Sequence, residues 1–224
     1  MSTVKAVLFD LDGTLANTLA DLADSANHAL HECGYPVQPV EAYRYFVGNG
    51  IALMLARAAD CVGDARETER LKKAFLPYYA AHFCDKTTVY AGMPETLETL
   101  RKMGIKLAVI TNKVDSMAKE IVRTLYPDCF SIVCGQQDGY ACKPDPQLTL
   151  QVMEQLGVLP QACLFVGDSD ADMQTAQRSG AIGVGALWGF RTREELVQNG
   201  AAYLAEKPSV LPELISQQFK SVNC

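Results

Sequence analysis

Val4-Lys5-Ala6-Val7-Leu8-Phe9-Asp10-Leu11-Asp12-Gly13-Thr14 decides the fold. Val4 to Phe9 is a short apolar run containing β-branched residues, which reads as a buried strand. It ends at Asp10. Two carboxylates two residues apart would be pointless at a simple turn. Gly13 lets the chain turn sharply, with backbone N–H groups available to an anion. Asp10 is a candidate nucleophile or magnesium ligand, and Asp12 a candidate general acid/base. The competing reading is an Asx turn or helix cap, since Asp and Gly are ordinary turn residues.

The same pattern recurs outward along the chain. Leu107 to Ile110 stops at Thr111-Asn112, Cys129 to Cys134 at Gly135, and Ala162 to Val166 at Gly167-Asp168. Ala181 to Leu187 is a weaker, Gly-rich run. Between them lie amphipathic stretches of helical length: Met93 to Met103, Val114 to Leu125 and Pro146 to Leu156. Apolar strands alternating with helices predict a Rossmann-like α/β fold, a parallel sheet covered by helices on both faces. Ligands of such sheets bind beyond the carboxyl ends of the strands. The polar residues closing these runs are therefore the first place to look.

Leu15 to Cys84 breaks the rhythm. Leu15, Leu19, Leu22, Ala26 and Leu30 follow a helical period, as do Ile51, Met54, Leu55 and Ala58, then Leu71, Phe75, Tyr78 and Tyr79. Pro77 is expected to kink or end the last helix. The chain thus divides into an α/β core of residues 1–15 and 85–224 and an inserted helical cap of residues 16–84. Asn17-Thr18 and Val89 to Pro94 would be the hinges.

The chain has 224 residues, of which 49% are apolar and 21% charged, so it is expected to be globular. Acids outnumber bases 26 to 20, for a net charge of −6. That argues against nucleic acid and anionic membranes as partners, but not against a small anionic substrate in a cleft. There is no leader-like segment and no apolar run near the length of a membrane span. Cys33, Cys61, Cys84, Cys129, Cys134, Cys142, Cys163 and Cys224 form no CxxC pair, and they read as reduced thiols in a cytoplasmic protein.

Three more motifs carry chemistry. In Gly167-Asp168-Ser169-Asp170-Ala171-Asp172, three acids within five residues repel one another unless something positive binds. A hard cation such as Mg2+ answers that. Asp168 is the best ligand candidate, with Asp172 one helical turn on. Asp170 is expected to cap that helix or face solvent; acids gathered for the helix dipole are the plainer reading. Thr111-Asn112-Lys113 offers a hydroxyl and backbone N–H groups to a phosphoryl oxygen, or simply starts a helix. Lys143-Pro144-Asp145-Pro146 holds one lysine that could balance carboxylates and grip a phosphate, or lie exposed in a turn. His28, His31 and His82 lack the partners for a metal site. Gly183 and Gly185 lack nucleotide-loop spacing.

These motifs, in this order, resemble those of a haloacid-dehalogenase-superfamily phosphatase, and the resemblance covers almost the whole chain. The first motif is matched by Asp10 to Thr14, the second by Thr111, the third by Lys143 and the fourth by Gly167 to Asp172. The helical insert is similar to the family's cap. Within the superfamily the chain looks most like the phosphoglycolate phosphatases, through Val47-Gly48-Asn49-Gly50, Thr111-Asn112-Lys113 and Trp188-Gly189-Phe190 before an acidic helix. These secondary matches recur among related small-molecule phosphatases.

The resemblance implies a magnesium-dependent phosphomonoesterase with an aspartyl-phosphate intermediate, acting on a small anionic phosphorylated metabolite such as 2-phosphoglycolate. Asp10 would be the nucleophile and Asp12 the acid/base. Mg2+ would be held by Asp10, the backbone carbonyl of Asp12 and Asp168, supported by Asp172. Thr111, Asn112, Lys143 and the Leu11–Gly13 amides would surround the transferring oxygens. Gly48, Asn49 and Gly50 would face the substrate. Arg44 and Arg57 are candidates to meet a substrate carboxylate, or else lie on solvated helix faces. A monomer or homodimer is expected. A dehalogenase has no use for Asp12, and a phosphonate hydrolase needs an early cap lysine that residues 15 to 71 lack. Phosphatases for sugar phosphates, nucleotides or pyrophosphate, and sugar-phosphate mutases, share the four motifs. A non-enzymatic protein would have little reason to keep all four intact.

Overall fold

A computed structural model describes residues 4–218. In chain order the elements are β1 (Ala6–Phe9), β2 (Ala16–Asn17), α1 (Leu19–Glu32), α2 (Tyr43–Phe46), α3 (Ile51–Ala58), α4 (Ala65–His82) and β3 (Thr88–Val89). Next come α5 (Met93–Lys102), β4 (Lys106–Val114), α6 (Asp115–Leu125), β5 (Ile132–Gln136), α7 (Gln147–Leu156) and β6 (Cys163–Gly167). The chain closes with α8 (Asp170–Ser179), β7 (Ile182–Ala186), α9 (Arg193–Gln198), β8 (Tyr203–Ala205) and α10 (Leu211–Gln218).

Six strands form one sheet in the order β5-β4-β1-β6-β7-β8, and every neighbouring pair is parallel. The first strand of the chain therefore sits at the centre. Phe9 lies opposite Val109 of β4 on one side and Val166 of β6 on the other. That register brings Asp10, Thr111 and Asp168 to one edge of the sheet. The chain winds first to one side of β1 and then to the other, so this edge is also a topological switch point, where such sheets bind ligands.

Strand alternation divides the core into two layers. Val7, Phe9, Val109 and Val166 face α5, α6 and α10. Leu8, Ala108, Ile110 and Phe165 face Val152, Met153 and Leu156 of α7 and Ala176 of α8. A third cluster, with Leu22, Leu30, Leu55, Leu71, Phe75 and Tyr79, belongs to α1, α3 and α4 and is touched by Phe190 from beyond β7. β2 and β3 pair antiparallel, Ala16 with Val89 and Asn17 with Thr88, where the chain enters and leaves the helical segment.

Several expectations are corrected. β1 begins at Ala6, and β5 begins at Ile132 rather than Cys129. β4 does not stop at Ile110 but runs on through Thr111-Asn112-Lys113, with a register irregularity between Ile110 and Val114. β8 and the β2–β3 pair are too short and mixed to show a period-two pattern. α4 runs unbroken through Pro77. An interior proline costs about 3 kcal/mol. Fully burying Leu71, Phe75 and Tyr79 on one face offsets it, at roughly 1.5–3 kcal/mol per large apolar side chain.

Among the described residues no helix is long and apolar enough to cross a membrane. Of the seven cysteines described, all unpaired, Cys163 alone is buried. Cys224 lies outside the described residues.

Candidate active site

Three carboxylates converge at the switch point. Asp10 follows β1, its N–H donating to the Val166 carbonyl at 2.9 Å. Asp168 follows β6, and Asp172 lies in the first turn of α8. All three are buried, and a carboxylate oxygen from each lies within 4.8 Å of the others. Among the described residues a single ammonium faces them: Lys143 Nζ is 2.8 Å from Asp10 Oδ1 and 2.6 Å from Asp172 Oδ1. Asn112 clamps the loop that carries Lys143. Its Oδ1 accepts from Lys143 N at 2.7 Å, and its Nδ2 donates to the carbonyls of Lys143 (3.1 Å) and Gly48 (2.9 Å).

Each acid is positioned from a second direction. Asp168 accepts from Thr14 Oγ1 (3.0 Å) and from the Phe190 N–H (2.7 Å). Asp172 Oδ2 accepts from the Ser169 N–H (3.0 Å) and hydroxyl (2.6 Å), and the Asp172 N–H returns a bond to Ser169 Oγ. Ser169, not Asp170, therefore caps α8, in a capping box with Asp172. Asp170 is the first residue of that helix and half-buried.

Two glycines allow the close approach to Asp168. A Cβ on Gly13 (φ +89°) would stand 2.3 Å from Asp168 Oδ2, and one on Gly189 would stand 2.2 Å from Asp168 Cβ. Gly189→Ala should therefore displace Asp168 and destabilise the protein by about 1–3 kcal/mol, the usual cost of overpacking. Urea denaturation checks this, and an unchanged midpoint would show that the Gly189 turn yields freely.

One ammonium does not neutralise three acids. Burial, with Asp172 adding, pushes the Asp10 carboxyl up to about 7 despite Lys143. Burial, Asp172 and Asp10 hold Asp168 well above the carboxylate range. Burial alone would lower Lys143, but Asp10 and Asp172 outweigh it and keep it protonated. Asp10 Oδ1 is buried and, although close to Lys143, accepts no aligned hydrogen bond. An under-satisfied anionic oxygen among buried carboxylates fits a hard divalent cation.

Asp12 stands apart from this cluster. Its Oδ1 accepts from Lys113 Nζ at 2.9 Å and from Thr18 Oγ1 at 2.7 Å. The Lys113 side chain is 2% exposed. Burial opposes its charge, but Asp12 and Tyr79 raise its pKa above the ordinary lysine value. Asp10, Asp12, Thr111, Asn112 and Lys113 line one side of a cavity, and Leu22, Gly48, Gly50, Met54 and Tyr79 line the other.

The remaining expected contacts fall elsewhere. The Gly13 N–H donates to Ala16 O at 2.9 Å, an internal bond that takes it from the set of amides expected to bind an anion. Arg44 donates to the carbonyls of Gly189 (2.7 Å) and Phe190 (3.4 Å). Arg57 donates to Phe46 O (3.1 Å), Tyr45 O (3.3 Å) and Asn49 Oδ1 (3.0 Å). Neither arginine, nor Asn49, is in the cavity wall. The sequence reading gave no role to Lys113, Thr14, Ser169 or Arg191. Arg191 is buried and donates to Val47 O at 2.9 Å, so it and Arg44 cross the same seam in opposite directions. No sequence signal marks Lys113, because the apolar run ends at Ile110; its burial shows in the fold alone, and lysines are almost never fully buried unless paired.

Comparison with known proteins agrees with this architecture. The sequence profile of the haloacid dehalogenase-like hydrolases matches residues 7–186. The chain belongs to that family. It is 37% identical over 197 residues to a phosphoglycolate phosphatase of Mannheimia succiniciproducens, covering 84% of this chain and 88% of that protein. A Pseudomonas putida protein of the same name is 36% identical over 215 residues, 92% of this chain and 75% of that one. A crystal structure from Lactobacillus delbrueckii subsp. bulgaricus superposes with a TM-score of 0.89 at 32% identity, covering 95% of this chain and 98% of the other. That of a predicted phosphoglycolate phosphatase from Haemophilus somnus gives 0.85 at 30% identity, covering 96% and 99%.

Proposed function

We propose that the protein is a magnesium-dependent phosphomonoesterase for a small anionic phosphate ester, 2-phosphoglycolate first among them. The observation that carries this reading is the division of the acids. Of three buried carboxylates, two share one ammonium, while a fourth carboxylate is held separately by a second ammonium. The first group suits a nucleophile with a cation beside it, the second a proton carrier.

Asp10 attacks phosphorus as the bond to the ester oxygen breaks, and the phosphoryl group passes to the carboxylate. Asp12 gives a proton to the departing oxygen. It then takes a proton from the water that displaces Asp10 and releases phosphate. Lys113 and Thr18 fix Asp12 through Oδ1, leaving Oδ2 to exchange the proton. Lys143, Thr111 and the turn amides of Leu11 and Asp12 meet the transferring oxygens. Asn112 keeps the Lys143 loop in register. Asp10, the backbone carbonyl of Asp12 and Asp168 would hold Mg2+. Asp172, already engaged by Lys143 and Ser169, supports them. When bound, the ion offsets the negative charge of nucleophile and phosphate and aligns the two.

The cavity under the helices is about 30 Å3, and a single water needs roughly 10–15 Å3, so the helices must move outward to admit any phosphate ester. Phosphoglycolate is placed first because the relatives above carry the name phosphoglycolate phosphatase. Among phosphoglycolate, sugar phosphates, nucleotides and pyrophosphate, kcat/KM should peak at phosphoglycolate. EDTA should abolish turnover and Mg2+ restore it. Full activity after exhaustive chelation would remove the metal from the account.

A further inference from the structure

We propose that Lys113, with the Tyr79 hydroxyl beside it, is the anchor for a carboxylate on the substrate's leaving group. The proposal rests on the phosphomonoesterase reading above and adds the residue that selects the substrate.

Among the described residues the cavity wall contains one cation, Lys113. Its Nζ makes one hydrogen bond, to Asp12 Oδ1, although an ammonium has three donors. It also lies 5.0 Å from the centroid of the Tyr79 ring. Tyr79 is fully buried, and its hydroxyl interacts with the Lys113 ammonium but with no acceptor. An ammonium cannot accept its O–H; a buried donor without an acceptor is costly, and a ligand that accepts it gains accordingly. Spare N–H donors and a spare O–H donor at one point make a site for a small anion.

The location sets the chemical class. Asp12 is the acid that protonates the leaving oxygen, and Lys113 touches Asp12. A charge two bonds beyond the leaving oxygen falls within reach of that ammonium. That is the geometry of a phosphorylated 2-hydroxy acid. Arg44 and Arg57 are already held by carbonyls outside the cavity. The other side chains on the Tyr79 side of the cavity, Leu22, Val47, Ile51 and Met54, are apolar and offer a carboxylate nothing, and Gly48 and Gly50 bring backbone only.

Lys113 also holds Asp12, so the test must separate the two effects. The readout is the ratio of kcat/KM for phosphoglycolate to that for ethyl phosphate, which has the same length but no carboxylate. It is measured at saturating Mg2+ in wild type and in the Lys113→Met, Lys113→Gln, Tyr79→Phe, Arg44→Ala and Arg57→Ala variants. Losing Asp12 positioning lowers both substrates together and leaves the ratio unchanged. Losing the anchor collapses the ratio by about 10- to 100-fold, the value of a charge-assisted hydrogen bond. We expect that collapse in Lys113→Met and Lys113→Gln, a several-fold fall in Tyr79→Phe, and no change in the arginine variants. Tyr79→Phe decides the matter if the lysine variants do not fold. A wild-type ratio that persists in every folded Lys113 and Tyr79 variant, or that collapses only in an arginine variant, overturns the anchor alone. A wild type with no preference for phosphoglycolate overturns the substrate reading instead.

Discussion

Asp10→Asn should lower kcat by at least about 10^4-fold, because an amide cannot take the phosphoryl group and no other carboxylate is free to replace it. Asp168 is held by Thr14 and Phe190, and Asp172 by Lys143 and Ser169. The same substitution should stabilise the metal-free protein at neutral pH, by about 1 kcal/mol or more. Burial and Asp172 raise the Asp10 carboxyl to about 7 from 3.8. The folded state thus disfavours the ionised form, and Asn mimics the neutral one. The penalty is absent below the unfolded value, grows as pH rises, and is complete above about 7. The advantage of Asn should therefore vanish near pH 4, grow as pH rises, and be nearly full at pH 7. Urea titrations at the two pH values check it. A variant that loses stability at both would show that the Lys143 contact outweighs the crowding.

Lys143→Met should cause the second large effect, in the opposite direction on stability. It removes the one ammonium within contact of Asp10 and Asp172 and leaves buried carboxylates uncompensated. Breaking a buried ion pair from one side costs about 3–5 kcal/mol. Turnover should fall by about 10^2- to 10^3-fold as well, since a donor to the transferring oxygens is gone. Saturating Mg2+ should recover part of the stability, because a cation answers the same three carboxylates. Thermal melts with and without Mg2+ check this. A metal-independent deficit would mean that Lys143 braces the loop more than it balances charge.

Much of the site was legible because catalytic strands end abruptly. Asp10, Thr111 and Asp168 are polar residues at the close of apolar runs, and parallel register brings such residues to one edge. What escaped depends on tertiary contact. Ser169 as cap, Thr14 on Asp168, and the cross-seam bonds of Arg44 and Arg191 join residues distant in sequence or ambiguous in local pattern. Arg44 shows the limit plainly. On a helix face it reads as an anion clamp or a solvated charge, and only the fold reveals the carbonyls of Gly189 and Phe190 as its partners. Pro77 does not end α4, for the converse reason: the packing of Phe75 and Tyr79 sustains a helix that local chemistry disfavours. Lys113 was quoted within a motif but assigned no task, because nothing in the sequence says that β4 continues past Ile110.

The central claim is that Asp10 carries the phosphoryl group. It is tested most directly by mixing wild-type enzyme, Mg2+ and radiolabelled phosphoglycolate, quenching with acid before the steady state, and counting label on the protein. The account predicts acid-stable, hydroxylamine-labile label on the Asp10 peptide, absent from Asp10→Asn. Full turnover with no protein-bound label at any quench time would contradict it and point to direct attack by water.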